Sequence, residues 1–201
     1  MRETFNSCYA ITEIDVSNFD TSNVTDISGM FGGAGSLTKI DVSNFDTSKV
    51  TNMGAMFSGC KKIETVDISN LDTSNVTSMR YMFSNCQNLK SLDLSSFDTS
   101  KVTTMKEMFY TCEKIETLDL SNFDTSNVTD MTDMFSYSKN LKTIFVSDSF
   151  VTNNVANSDS MFSYCNNLVG GNGTVYNGRY KDKTYACIDT PTQKGYFTKK
   201  V

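Results

Sequence analysis

Residues 37–60 read LTKIDVSNFDTSKVTNMGAMFSGC, and this phrase decides the fold because it returns. Asp15, Asp41, Asp67, Asp93 and Asp119 stand 26 residues apart, and each opens nearly the same stretch: DVSNFDTSNV, DVSNFDTSKV, DISNLDTSNV, DLSSFDTSKV and DLSNFDTSNV. A second phrase keeps the period: SGMF, GAMF, RYMF, KEMF and TDMF, ending at Phe31, Phe57, Phe83, Phe109 and Phe135. Cys60, Cys86 and Cys112 close three copies, and Ala34 and Ser138 fill that slot in the flanking ones. A sixth copy is degraded, with Phe145 in place of the aspartate and one extra residue before Phe150, so Met161, Phe162 and Cys165 match one position late. Phe5 and Cys8 sit one period before Phe31 and Ala34, which is expected of a chain cut from a longer array. Self-similarity at such a period is the signature of a solenoid.

Within a copy two periodicities alternate. Ile40-Asp41-Val42-Ser43 alternates apolar and polar and predicts a short strand with Ile40 and Val42 inward. Asp46-Thr47-Ser48 predicts a turn or helix cap. Val50, Met53, Met56, Phe57 and Cys60 have the spacing of one face of a helix of about three turns. About nine apolar side chains per copy cannot offset the entropy of ordering 26 residues, so single coils must stack.

The expected architecture is therefore α/β: a right-handed leucine-rich-repeat solenoid of about six coils over residues 1–169, with a partial N-terminal coil. Residues 170–201 differ in kind. They hold five of eleven glycines, four of nine tyrosines and the single proline, and carry +4 against −9 for the rest. Thr174–Tyr176 and Thr184–Ile188 alternate like strands, so this segment is expected to be a β-hairpin-like cap.

The phrase L-x-x-L-D-L-S-x-F-D-T-S-x-V-x-x-M-x-x-M-F-x-x-C resembles the repeats of the BspA-like leucine-rich-repeat surface proteins of bacteria, over residues 5–169, and the tail from Gly170 to Thr198 is similar to the segment that ends such arrays. The resemblance implies an extracellular or cell-surface protein mediating adhesion to a protein or glycan ligand. It implies no catalytic residue. The signal and anchor of such proteins are absent from this chain and are expected outside it.

Composition agrees with a non-enzyme. There is no histidine in 201 residues, which excludes Ser-His-Asp, Cys-His and His-metal sites within the chain. A net charge of −5 argues against nucleic acid, and no apolar run is long enough for a membrane span. A monomer without cofactor is expected. The six cysteines are expected as free thiols, since their repeat slot also accepts Ala34 and Ser138. The column Asp15, Asp41, Asp67, Asp93 and Asp119 stacks like charges, which either hydrogen bonds to neighbouring Ser, Thr and backbone N–H groups or a divalent cation would offset. Ligand contacts are expected where copies differ: Arg80, Tyr81, Lys106, Glu107, Tyr110, Tyr137 and Tyr164. A structural spacer displaying other domains is the alternative role.

Overall fold

The structure, a computed structural model, describes residues 1–200. Its axis is a column of phenylalanines. Phe5, Phe31, Phe57, Phe83, Phe109, Phe135 and Phe162 stack face to face, with neighbouring ring centroids 5.5–5.9 Å apart and planes within 16°. Methionine columns flank it, Met53, Met79, Met105 and Met131 in one and Met56, Met82, Met108 and Met134 in the other, all fully buried. One coil thus succeeds the next at close to strand spacing.

That spacing overturns the expected helices. An α-helix is about 10–12 Å across, and two of them cannot lie one ring-stack apart. The Met-Phe segment instead runs as overlapping four-residue turns. Met56, Ser58 and Cys60 donate their N–H groups three residues back, to the carbonyls of Met53, Ala55 and Phe57. The N–H groups between them point along the axis: Met53, Ala55, Phe57 and Gly59 donate to the carbonyls of Ser78, Arg80, Met82 and Ser84 in the next coil, at 2.7–3.1 Å. The same pattern repeats through Asp133, Phe135 and Tyr137. Burying positions i, i+3, i+4 and i+7 is as well served by this turn ladder as by a helix.

The ladder requires left-handed backbone at the third position of alternate turns, as in a type II turn. Two columns have it: Glu3, Gly29, Ala55, Tyr81, Glu107, Asp133 and Ser160, then Ser7, Gly33, Gly59, Asn85, Thr111, Tyr137 and Tyr164, all with φ between 52° and 73°. Gly59 shows how tight the stacking is, since a Cβ there would lie 3.3 Å from the Gly33 Cα. Eleven of these residues carry a side chain, at a cost of about 1–2 kcal/mol each.

The strand side also departs from expectation. Among the described residues strands form only at β1 (Thr117–Leu120), β2 (Thr143–Val146) and β3 (Phe197–Lys199), as a parallel sheet in the order β1-β2-β3. In register, Asp119 faces Phe145. In the copies before it aspartate follows aspartate, and like charges directly opposite oppose pairing. What joins those coils is a line of single parallel bridges, Asp26–Asn52–Ser78–Thr104–Asp130–Asn157. Here the direction reverses: Thr51, Thr77, Thr103 and Thr129 donate N–H to the threonine carbonyl 26 residues back. Side chains add to the seam. Asn44, Asn70 and Asn122 donate Nδ2–H to Val16, Val42 and Leu94 carbonyls of the preceding coil. Buried Thr73 donates from Oγ1 to the Asp98 carbonyl and accepts the Asp98 N–H, at 2.9 and 2.8 Å.

The last segment closes the axis. Tyr196 and Phe197, both fully buried, meet Phe162 edge-on at 5.2 and 5.9 Å, with planes turned 77° and 66°. The expected hairpin strands do not form. Thr174–Tyr176 keeps one antiparallel bridge, Val169–Val175, and residues 184–188 contribute part of a 3-10 turn, Lys183–Tyr185, and a bridge from Ile188 to Phe197. The reason is a buried carboxylate. Asp189 accepts the N–H groups of Asn172, Thr174 and Gly195 and the Thr174 hydroxyl, which draws these loops around itself rather than into a ladder. Lys199 pairs with Asp148 at 2.6 Å, and Lys200 reaches Asp119, tying the end of the chain to the array.

Candidate functional site

The aspartate column carries its own partners. One oxygen of each of Asp15, Asp41, Asp67, Asp93 and Asp119 accepts the N–H of the serine two residues on, at 2.9–3.1 Å, and Ser69 adds its hydroxyl to Asp67 at 2.7 Å. These serines hold Asp41, Asp67 and Asp93 below the ordinary carboxylate range. Among the described residues no three His, Cys, Asp or Glu side chains converge on a point that could hold a metal ion. The second column behaves likewise: Asp20, Asp46, Asp72, Asp98 and Asp124 each accept the N–H of the serine two residues on.

The six cysteines are free thiols. Cys60, Cys86, Cys112 and Cys165 are buried, and each donates to a phenylalanine carbonyl of the preceding coil, at 3.0–3.3 Å. Ser138 makes the same bond to the Phe109 carbonyl at 2.8 Å, which is why the slot accepts it. Burial pushes Cys60, Cys112 and Cys165 up to about 12 and Cys86 well above its usual value, so none is poised as a nucleophile.

The seven expected contact residues all lie on the turn ladder, and it is the ladder that aims them. Tyr81, Glu107, Tyr137 and Tyr164 are left-handed positions, while Arg80, Lys106 and Tyr110 adjoin or lie between such positions. They fall into two groups. In the first, the Arg80 guanidinium and the Lys106 ammonium stand 5.4 and 6.0 Å from the Tyr81 ring centroid. Tyr81 raises Lys106 above the ordinary lysine range.

The second group is larger. Tyr110 meets Tyr137 edge-on at 5.6 Å, and Tyr137 stacks on Tyr164 at 4.3 Å. Below the rings is a cleft of about 400 Å³ lined also by Glu107, Asp133, Ser136, Ser160, Ser163 and Lys181. Burial, and then the neighbouring Asp133, raise the Glu107 carboxyl. The Ser136 hydroxyl is buried without a hydrogen-bond partner. Sequence reading found the tyrosines because aromatic residues stood out among varied positions. It missed Ser136, Ser160 and Ser163, which look like any serine of the repeat, and Lys181, which lies outside it. It also missed a cleft of about 890 Å³ in the last segment, bordered by Tyr176, Tyr180, Tyr185 and Lys194. No motif marks those residues.

A family model described as "Mycoplasma protein of unknown function, DUF285" matches residues 1–93 and 61–171. The chain belongs to that family. The DUF285 matches end at 171, close to where the 26-residue phrase gives way to the glycine- and tyrosine-rich segment, and they overlap because a repeat can be aligned in more than one register. No curated protein matches the sequence. Among solved structures, a leucine-rich repeat protein from Bacteroides ovatus is 26% identical over 73% of this chain and 40% of its own, with a TM-score of 0.42. The functional domain of InlJ from Listeria monocytogenes, said to include a cysteine ladder, is 17% identical over 74% of this chain and 38% of its own, with a TM-score of 0.24. The chain thus spans less than half the length of either. Among the described residues no helix is long and apolar enough to cross a membrane.

Proposed function

We propose that this DUF285 chain is a non-enzymatic binding module of a secreted or surface-anchored bacterial protein, holding a host or neighbouring-cell ligand on the turn-ladder side. One observation carries the reading. The array is nearly constant in its core and its aspartate columns, yet between Tyr81 and Tyr164 the outward positions of the ladder diverge into clustered aromatic and charged side chains. Rigid aromatic groups of this kind make efficient contacts because they lose little conformational entropy on binding. The extracellular setting and the adhesive role come from the resemblance of the repeat phrase to BspA-like proteins. The final segment serves as the cap, with Tyr196 and Phe197 shielding the last ring of the column.

The test is a binding screen of the whole chain against immobilised extracellular-matrix proteins and glycans, read by biolayer interferometry. It is repeated with Tyr110, Tyr137 and Tyr164 all changed to Ala, and separately with Tyr81→Ala. At least one ligand should bind the parent and lose about tenfold or more in affinity with the triple variant. Ligands that bind both forms equally would move the site elsewhere, and the absence of any ligand would leave a rigid spacer as the better account.

A further inference from the structure

We propose that the cleft between Tyr110 and Tyr164 is a subsite for one uncharged sugar ring of a glycan. The inference rests on the binding role just proposed and narrows it to one chemistry.

The walls suit a flat, two-faced ligand. Tyr137 and Tyr164 stack at 25°, Tyr110 stands against Tyr137 at 65°, and Tyr164 is half exposed, so the group offers ring faces at an angle to one another beside an open cleft. The C–H face of a pyranose packs on such a ring while its hydroxyls run outward. The volume of about 400 Å³ equals roughly a dozen waters at about 30 Å³ each, room for a six-membered ring with its hydroxyls.

The polar lining selects among ligands of that size. Glu107 and Asp133 present carboxylates, and neither is in an ion pair among the described residues. Lys181 presents an ammonium, and Ser160 and Ser163 present hydroxyls. A phosphate or carboxylate ligand, which only accepts, would meet two carboxylates. A guanidinium, which only donates, would pair with the carboxylates but leave Lys181 facing a second cation. A neutral polyol both donates and accepts and can use the whole set.

Ser136 points the same way independently. Its hydroxyl is the one buried side-chain polar atom among the described residues with no partner, and Ser136 lines this cleft. In the equivalent slot of an earlier coil the Ser84 hydroxyl is satisfied by its neighbour Asn85, which donates to it at 3.1 Å, whereas beside Ser136 that place is taken by Tyr137. Buried hydroxyls without partners are costly and rare; this one is covered in the free protein, and a small shift of the cleft floor would bring it to a ligand hydroxyl.

Saturation-transfer difference NMR on the whole chain tests the assignment, using the methyl glycosides of glucose, galactose, mannose and N-acetylglucosamine and, as a cationic probe, Nα-acetyl-arginine methylamide. At least one glycoside should receive saturation on its ring C–H protons at millimolar concentration. Tyr164→Ala and Ser136→Ala should each weaken that affinity by about tenfold or more, with the Ser136 variant melting no lower than the parent, because the hydroxyl it loses is unpaired in the free protein. Saturation of no glycoside, saturation unchanged in both variants, or preference for the arginine probe would overturn the sugar assignment. If that happens while protein ligands still bind through Tyr137, only this inference falls. If the tyrosine variants lose nothing toward any ligand, the binding role falls with it.

Discussion

Ala55→Gly separates the turn ladder from a helix by the sign of its effect. Ala55 sits in the middle of the Met53–Cys60 segment with φ of 55°, its N–H given to the Arg80 carbonyl at 2.7 Å and its carbonyl taking the Ser58 N–H at 3.1 Å. Both bonds are backbone bonds that glycine retains, and the preceding coil already carries Gly29 in this slot. Releasing an alanine from the left-handed region returns about 1–2 kcal/mol. Glycine's extra freedom in the unfolded chain takes back about 0.4–1 kcal/mol. The net expectation is a gain of about 0.8 kcal/mol, or a melting temperature about 2 °C higher for a chain of this size. In a helix interior the same change would cost about 1 kcal/mol and lower the melting temperature by about 2–4 °C. Thermal unfolding followed by circular dichroism, with urea midpoints as a check, resolves the two. A fall of 2 °C or more would refute the left-handed assignment and with it the account of why the helix is absent.

Other consequences follow from the seams. Thr73→Val should destabilise by about 1–3 kcal/mol in urea unfolding, because the part-buried bonds to the Asp98 N–H and carbonyl are both lost while side-chain volume is kept. Thiol titration of the native protein with a disulfide reagent at pH 8 should label at most the half-buried Cys8 and Cys187 quickly, and all six after unfolding; rapid labelling of four or more would contradict the buried column. The carboxyls of Asp41, Asp67 and Asp93 are depressed in the folded state, so their contribution is complete above the ordinary carboxylate range and is lost as pH falls from there through their own lower values. Melting temperature should hold from pH 7 to about 5 and drop below about 4. Asp67→Asn should lower the melting temperature slightly, because the bonds from the Ser69 N–H and hydroxyl to a charged acceptor outweigh the repulsion from Asp41 and Asp93; a gain at low salt that fades in high salt would show that repulsion along the column dominates.

What was legible in the sequence was the period and the core. Every apolar slot of the phrase, from Leu37 through Cys60, is buried. The backbone between those slots was not legible from spacing, because i, i+3, i+4 and i+7 on one face is satisfied equally by a helix and by overlapping turns. A second signal was present. Gly29, Gly33, Gly54, Gly59 and Asn85 fall inside the supposed helices, where glycine and asparagine are poor formers, and all but Gly54 stand in the left-handed columns. The strands were over-read for a different reason: Ile40-Asp41-Val42-Ser43 has the right alternation, but alternation within one coil says nothing about the charge it meets in the next. Thr47, read as a turn residue, is buried and donates to the Asp72 carbonyl, a bond across coils that no local pattern announces. The tyrosine group was half visible. Aromatic residues at varied positions were conspicuous, but the shift from the column of Tyr110 to that of Tyr137 and Tyr164 and the approach of Lys181 needed three dimensions.

The opposed directions of the two seams bear on how long such a protein can be. On the turn side N–H groups point toward the C-terminus, while on the threonine side, and from the asparagine amides, they point back. Peptide dipoles aligned one way along a rod, as in a helix, would build partial charges at its ends. Here a large part cancels within each coil, as it does between the strands of a sheet. Duplicating a 26-residue unit therefore adds ring-stacking and hydrogen bonds without adding much polarity to the ends. Array length becomes a nearly free evolutionary variable, set by how far a binding face must reach rather than by what the scaffold can tolerate.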